Sequence, residues 1–397
     1  MATRWERAQR LDEEDPLAHV RKHFALPDDV CYLDGNSLGA LPRGVGDRVR
    51  EVVDEGWGKQ LIRGWDGAGW WEAPERIGDR IGGLLGAAAG QTVVGETTTV
   101  QIFNALVAAA RLRPDRELIV TDSDHFPTDR YLAASVARML GKRLLLVPVA
   151  EAPALLRERA AEIAVLALPA VDFRTGELWP LRELTAEAHG AGAVVMWDLC
   201  HAVGAMPVDL DAAEVDVAVG CSYKFLSGGP GAPAFIYVAE RHHSRLDLPL
   251  TGWTGHAEPF AMAAEYQPAP GIARARVGTP HVLSLLALEA ALAVFDLVEL
   301  AAVRAKSVAL GNFLIECAES ELVPLGFEVV TPCDESRRGS QVTLRHPQAY
   351  ELVRLLAGRG VIGDSRPPNL LRFGLNALYV SYQDVHRAVQ ELAALAR

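Results

Sequence analysis

Between about residues 90 and 240 the chain alternates short, nearly continuous apolar runs with helical stretches, and that alternation constrains its fold more than any other feature. The runs fall at 118–121, 143–149, 163–168, 194–199, 215–220 and 234–238. A strand wetted on one face alternates apolar with polar residues, whereas a strand covered on both faces has no such need. Unbroken runs therefore predict an α/β fold with a mostly parallel sheet between layers of helix. Residues 100–112 and 181–189 read as two of those helices, the second running into Gly-Ala-Gly-Ala, a helix stop. At 397 residues the chain is long for one core and comfortable for two joined ones.

Past residue 280 the texture changes. A long apolar helical stretch, roughly 281–318, precedes FEVVTP, QVTLRH, the helical YELVRLLAGRG, LLRFGL and a last helix. That order predicts a smaller α+β domain. The expected division is an N-terminal segment, 1–55, that joins the small domain; a large domain, 56–280; and a small C-terminal domain, 281–397. Residues 252–280 carry Gly and Pro without periodicity and predict a long functional loop.

Charge and composition narrow the partners. The net charge is −12 and the longest basic cluster is only a few residues, so no nucleic-acid partner is expected. The opening segment is charged throughout, unlike a signal peptide. The most apolar stretch, SLLALEAALAVFDLVELAAV, is interrupted by Glu289, Asp296 and Glu299, which predicts a buried helix rather than a membrane span. Cys31, Cys200, Cys221, Cys317 and Cys333 form no CxxC pair and no disulfide framework, which points to a reducing cytoplasm.

The strongest chemical constellation is WDLCHAVGA (197–205) followed by GCSYKFLSGGPGAP (220–233). Asp198 stands at the carboxyl end of a predicted buried strand, where α/β sheets place their ligands. Lys224 follows the next strand beside a glycine-rich turn. A lysine amine there can capture an aldehyde cofactor, and an aspartate facing a pyridine nitrogen keeps that ring protonated as an electron sink. Taken singly, a lysine after a strand is most often solvated and an aspartate at a strand end most often a cap. Their order on adjacent predicted strands is far more specific.

Other motifs add weaker signals. GETTTV (95–100) joins a turn to an apolar helix, so Thr98 and Thr99 can offer hydroxyl and N–H groups to a phosphate, or simply cap. SGGPG (227–231) lacks the GxxxxGK[ST] pattern of a nucleotide loop. In DSDHFPTDRY (122–131), Phe126 can stack on a flat ring with Asp129 beside it, or serve as core residue and cap. Arg372 lies in a predicted strand of an apolar stretch, where a buried guanidinium needs an anion from protein or ligand. His201, His242, His243 and His256 match no zinc spacing, so no metal is expected. Neither Ser37 nor Ser227 sits in a GxSxG elbow.

Together these motifs resemble one family, kynureninase. YLDGNSLG (32–39), FPTD (126–129), WDLCHAVG (197–204), CSYKFLSGGPGAPAF (221–235) and GWTGH (252–256) fall in that family's order, through most of the chain. The resemblance implies a fold-type-I pyridoxal 5′-phosphate (PLP) enzyme of the aspartate-aminotransferase fold, with a mostly parallel seven-stranded sheet in its large domain. It implies Lys224 as the Schiff-base lysine, Asp198 as partner of the pyridinium nitrogen and Phe126 as the stacking residue. Asp129 and His201 would lie beside the cofactor, and Thr98, Thr99 and Tyr223 would contact it chiefly at its phosphate. Trp253 and Thr279 resemble positions that reach the phosphate from a neighbouring subunit, which implies a homodimer. Thr279 stands where animal members have Asn. Arg372 resembles the arginine that holds the substrate α-carboxylate.

The implied reaction is hydrolytic cleavage of L-kynurenine, or its 3-hydroxy form, to anthranilate (or 3-hydroxyanthranilate) and L-alanine. Catalysis would rest on Lys224 and Asp198, with Tyr223 a candidate proton donor. Two rivals are a cysteine desulfurase or selenocysteine lyase on the same fold, and a non-catalytic binding module. The first usually carries a cysteine on a loop near the substrate arginine, and VIGDSRPPNLLRFG has none.

Overall fold

In the computed structural model, which describes residues 3–397, seven strands build the central sheet. They are β1 (Thr92–Val94), β2 (Leu118–Asp122), β3 (Arg143–Val147), β4 (Ile163–Pro169), β5 (Val194–Asp198), β6 (Val217–Gly220) and β7 (Phe235–Val238). Their spatial order is β1-β7-β6-β5-β4-β2-β3. Only β7 runs against the rest, pairing antiparallel with β6 on one side and β1 on the other. The physical reason is the link before it. Parallel neighbours need a crossover, usually helical, and residues 221–234 between β6 and β7 hold no helix. Strands β2, β4, β5, β6 and β7 are buried at nearly every position, as their unbroken apolar runs require. The predicted run 143–149 stops earlier, at Val147, because Pro148 and a 3₁₀ turn follow.

Because six strands point the same way, their carboxyl ends form one edge. Five connections meet there: the turn into helix Thr98–Arg111, and the loops after β2, β4, β5 and β6.

The single long helix expected over 281–318 is broken. Helix Val282–Leu292 passes through a 3₁₀ turn, Ala293–Leu297, to an extended Val298, and helix Leu300–Glu321 then begins. The two helices serve different layers. The first packs on helices Arg43–Glu51 and Ala73–Leu84, the second on the last helix, Tyr382–Ala396, and one straight rod could not reach both. A second sheet lies in this C-terminal part: β8 (Glu328–Val329), β9 (Gln341–Arg345), β10 (Asp364–Arg366) and β11 (Leu370–Gly374), antiparallel in the order β10-β11-β9-β8.

The chain's beginning is stitched to its end. Helix Arg4–Glu13, opened by a capping box from Thr3 and Glu6, packs on helix Tyr382–Ala396. The Asp12 carboxylate accepts the backbone N–H groups of Tyr382 and Gln383 at 2.7 and 3.0 Å, capping that helix. Asp15 forms a buried ion pair with Lys306 at 2.7 Å. Cys31–Tyr32 pairs in parallel with Val361–Ile362.

Candidate active site

Each wall of the cleft at the sheet's carboxyl edge comes from a different connection. The first is the turn after β1. Glu96 adopts a left-handed conformation (φ 56°), and Thr97 then caps the helix, its hydroxyl accepting the Val100 N–H. With Thr97 as cap, Thr98 and Thr99 occupy the first turn and line the cleft with hydroxyls and N–H groups that the helix itself does not engage.

The loop after β2 carries His125, Phe126 and Asp129. His125 is buried and its Nδ1 accepts the Phe126 N–H at 2.8 Å, which puts its proton on Nε2, 3.6 Å from Asp129 Oδ1. Burial takes its pKa down to about 4, so the ring is neutral. Phe126 stays half exposed, its ring edge-on to Phe173 from the loop after β4 at 5.2 Å.

Asp198 ends β5. One oxygen accepts the Cys200 N–H at 2.8 Å, fixing the side chain at the cleft. The ligand atoms of His125, Asp129 and Asp198 lie within 4.8 Å of one another. Asp129 is the member this proximity penalises. Burial first, then the charge of Asp198, drives its carboxyl well above the usual carboxylate range. A buried and a half-buried carboxylate so close favour a cation between them.

The loop after β6 holds Tyr223 and Lys224. Ser227 takes a left-handed conformation (φ 55°) and its N–H closes onto the Lys224 carbonyl at 2.9 Å, so the turn folds tightly behind the lysine. Gly39 of the NSLG motif backs it: its N–H donates to the Tyr223 carbonyl, and a Cβ there would lie 2.3 Å from the Lys224 carbonyl oxygen. Lys224 Nζ lies 3.0 Å from His201 Nε2. Burial, then the nearby Lys224 ammonium, holds His201 well below its usual pKa and therefore neutral. Burial likewise raises the Tyr223 phenol, which stays protonated, and Lys224 Nζ lies 5.9 Å from its ring centre.

Thr98, Thr99, Phe126, Asp129, Asp198, His201, Tyr223 and Lys224 thus line one cavity of about 580 Å³ counted to its mouth. Three other expected residues do not line it. Arg372 is buried behind the Phe173 loop. Its Nε donates to Asp364 Oδ1 at 2.7 Å, its Nη2 to Asp364 Oδ2 and, at 3.3 Å, to Ser37 Oγ, and its Nη1 to the Phe173 carbonyl. Trp253 and Thr279 are both exposed on this chain, away from its own cavity. Trp253 packs instead with Trp71 and Phe260, ring centres 5.4 and 5.9 Å apart.

The histidines set aside as metal ligands have protein partners. His242 and His189 bind Asp216 at 2.6 and 2.8 Å, joined by Arg241 and the Val195 N–H. Burial alone would raise Asp216, but these hydrogen bonds outweigh it and hold the carboxyl well below its usual range. His243 meets the Val238 carbonyl and His256 the loop around Glu258.

Sequence reasoning passed over His125, Phe173 and Asp364. His125 lay inside the quoted DSDHFPTDRY motif, and its two neighbouring acids were a usable signal. Nothing local marked the other two.

The donor set suits PLP. A ring between Phe126 and the strand ends would set its nitrogen against Asp198, its aldehyde by Lys224 and its phosphate by Thr98, Thr99 and Tyr223, and its cationic N–H would relieve the paired acids.

Comparison with known proteins bears on this site. A family model described as the kynureninase C-terminal domain matches residues 303–392. A curated kynureninase from Deinococcus radiodurans is 49% identical over 392 residues, covering 97% of this chain and 94% of its own length. Among solved structures, an apo cysteine desulfurase from Thermococcus onnurineus NA1 superposes with a TM-score of 0.81 at 17% identity, covering 96% of this chain and 98% of that one. C-DES, a cystine C–S lyase solved with glycine covalently linked to its PLP cofactor, superposes with a TM-score of 0.80 at 16% identity, covering 94% and 98%.

Proposed function

This chain belongs to the kynureninase family, and from that premise we propose that it hydrolyses L-kynurenine to anthranilate and L-alanine through the cleft lined by Lys224 and Asp198. Its fold is that of the fold-type-I PLP enzymes, and it is a PLP-dependent hydrolase. The desulfurase likeness, at 17–21% identity, is one of fold. The observation that carries the reading is the convergence of Lys224, Asp198 and the Thr98–Thr99 helix start on one cavity, in a chain so similar to a curated kynureninase.

Bound PLP supplies the electron sink, a protonated pyridine ring conjugated to the substrate nitrogen, which makes the substrate Cα acidic. The chain's own groups do the rest. With PLP in place, Lys224 Nζ would hold its aldehyde carbon and, when freed by the substrate amine, would serve as base toward the Cα proton. His201, being neutral, accepts a hydrogen bond from that amine without competing for a proton at working pH. Asp198 would hold the proton on the ring nitrogen, and Phe126 would cover the ring face. Tyr223, kept protonated, is a proton donor whose ring centre lies 5.9 Å from the Lys224 amine. Hydrolysis then balances simply: hydroxyl goes to the carbonyl carbon, giving anthranilate, and hydrogen to Cβ, which becomes the methyl of alanine.

Anthranilate fluorescence after adding kynurenine or 3-hydroxykynurenine tests the reading; no product from either substrate refutes it. Arg372 is assigned to the substrate carboxylate through the outer edge of its guanidinium, with Asp364 holding the inner edge. Removing Arg372 alone would break its buried pair with Asp364, whose carboxylate would keep only Arg366 and the Ser37 hydroxyl, each at 2.8 Å, at a cost of up to about 3–5 kcal/mol. The expected result is therefore framed on Arg372→Gln with Asp364→Asn. KM for kynurenine rises by about 10²-fold, as for a lost charged hydrogen-bond pair, while the cofactor stays bound. Loss of cofactor instead would assign the pair a purely structural role.

Trp253 and Thr279 are assigned to the partner's phosphate, which makes the working unit a homodimer. Their exposure and their absence from the lining of this chain's cavity support this, as do Trp57, Ile62, Phe260 and Met262, apolar residues each more than half exposed. Sedimentation should give twice the chain mass; a fully active monomer would remove the assignment. Five free cysteines suit a cytoplasmic setting. No helix among the described residues is long and apolar enough to cross a membrane.

A further inference from the structure

The loop after β4, residues 172–176, lies on the small sheet in an unusual way: three successive backbone carbonyls are taken by side chains of that layer. The Phe173 carbonyl accepts from Arg372 Nη1 and, at 3.1 Å, from Gln341 Nε2. The Arg174 carbonyl accepts the Thr343 hydroxyl at 2.6 Å, and the Thr175 carbonyl the Thr331 hydroxyl at 2.5 Å. Gly176 then passes so close to β9 that a Cβ would sit 2.7 Å from Gln341 Cγ, and its left-handed φ of 76° suits glycine alone. From inside the loop, Asp172 Oδ1 accepts the N–H groups of Arg174 and Thr175 at 2.8 and 2.7 Å. The loop is thus held from both sides, and none of these bonds serves the cofactor groups described above.

What the clasp positions is one ring. Phe173 turns its carbonyl to Arg372 and its side chain into the cleft, edge-on to Phe126. Phe173 joins Arg372, through its carbonyl, to the cleft, through its ring, so a substrate reaching from Lys224 toward that arginine would pass the ring. We propose that Phe173 is a specificity-determining wall of the substrate pocket, and that Thr343, Gln341 and Thr331 are positioning residues that hold it against the substrate. Arg372 links the two tasks, since the guanidinium that takes the carboxylate also anchors the wall. This inference rests on the kynurenine reading and adds to it the surface that senses the substrate's middle and aryl end.

The experiment uses the full-length holoenzyme and three variants, Phe173→Ala, Thr343→Val and Thr343→Ser, with two readouts. Steady-state kinetics on kynurenine and 3-hydroxykynurenine gives KM and kcat; hydrogen–deuterium exchange follows the backbone amides of 172–178. Phe173→Ala should raise KM about tenfold or more and change the ratio of kcat/KM between the two substrates, with cofactor absorbance retained. Thr343→Val should raise KM about three- to tenfold, as for one lost buried hydrogen bond, and speed exchange in 172–178. Thr343→Ser, which keeps the hydroxyl, should restore both. An active parent with unchanged KM and unchanged substrate ratio in Phe173→Ala overturns the proposal alone. So does faster exchange in Thr343→Val without a change in KM, because the clasp would then hold a loop that the substrate does not feel. A parent inactive on both substrates overturns the reaction and the proposal together.

Discussion

Lys224→Ala loses anthranilate release by at least about 10³-fold, since both the tethering amine and the general base go with one side chain. The purified variant also loses the yellow absorbance band of a lysine-bound aldehyde. The backbone around Lys224 should survive the change, because Ser227 and Gly39 engage main-chain groups rather than the ammonium. Thermal unfolding close to the parent would therefore accompany the chemical loss. A variant that kept its band would show that another amine holds the aldehyde, and the assignment of residue 224 would fall.

Asp198→Asn is the second large effect. The amide oxygen of Asn can still accept the Cys200 N–H, so the scaffold at the end of β5 is kept while the charge is removed. Without the anion, the ring nitrogen has no group to hold its proton, and kcat should fall by about 10²–10³-fold, the usual scale for one well-placed electrostatic group. The same change relieves Asp129 of a neighbouring charge. Its carboxyl remains raised by burial but less so, and therefore ionises at lower pH than in the parent. Full turnover by Asp198→Asn would end the case for a cationic ring facing that residue.

Six of the seven central strands were legible as unbroken apolar runs; in five of them the run records burial on both faces, and in β3, at the sheet edge, it marks a strand that stays partly exposed. β1 was not: three residues, Thr92–Val94, are too few to show any period. β10 was hidden for a different reason. Its residues, Asp364–Arg366, are polar and charged because the strand pairs with β11, setting Asp364 beside Arg372 in register. The break at Val298 was invisible because the residues on both sides favour helix; only the need to serve two layers interrupts it.

In the cleft, the residues singled out between Thr98 and Lys224 were readable from motif order, and the fold brings them to one edge. Arg372 was left with either a protein or a ligand anion as partner. The structure supplies a protein anion, Asp364, and leaves the outer guanidinium edge to Ser37 and the Phe173 carbonyl. Phe173 could not be found from sequence, because its position depends on Gln341, Thr343 and Arg372, which lie 168 or more positions along the chain.

The stitching of the first helix to the last has a consequence for biosynthesis. Asp12 waits for Tyr382 and Gln383, and Cys31–Tyr32 waits for Val361–Ile362, so a nascent chain holds these groups without those partners until residues 361–383 have left the ribosome. Contacts of such long separation make the final closure slow, and the apolar face of an unmated leading helix is a natural target for chaperones in that interval.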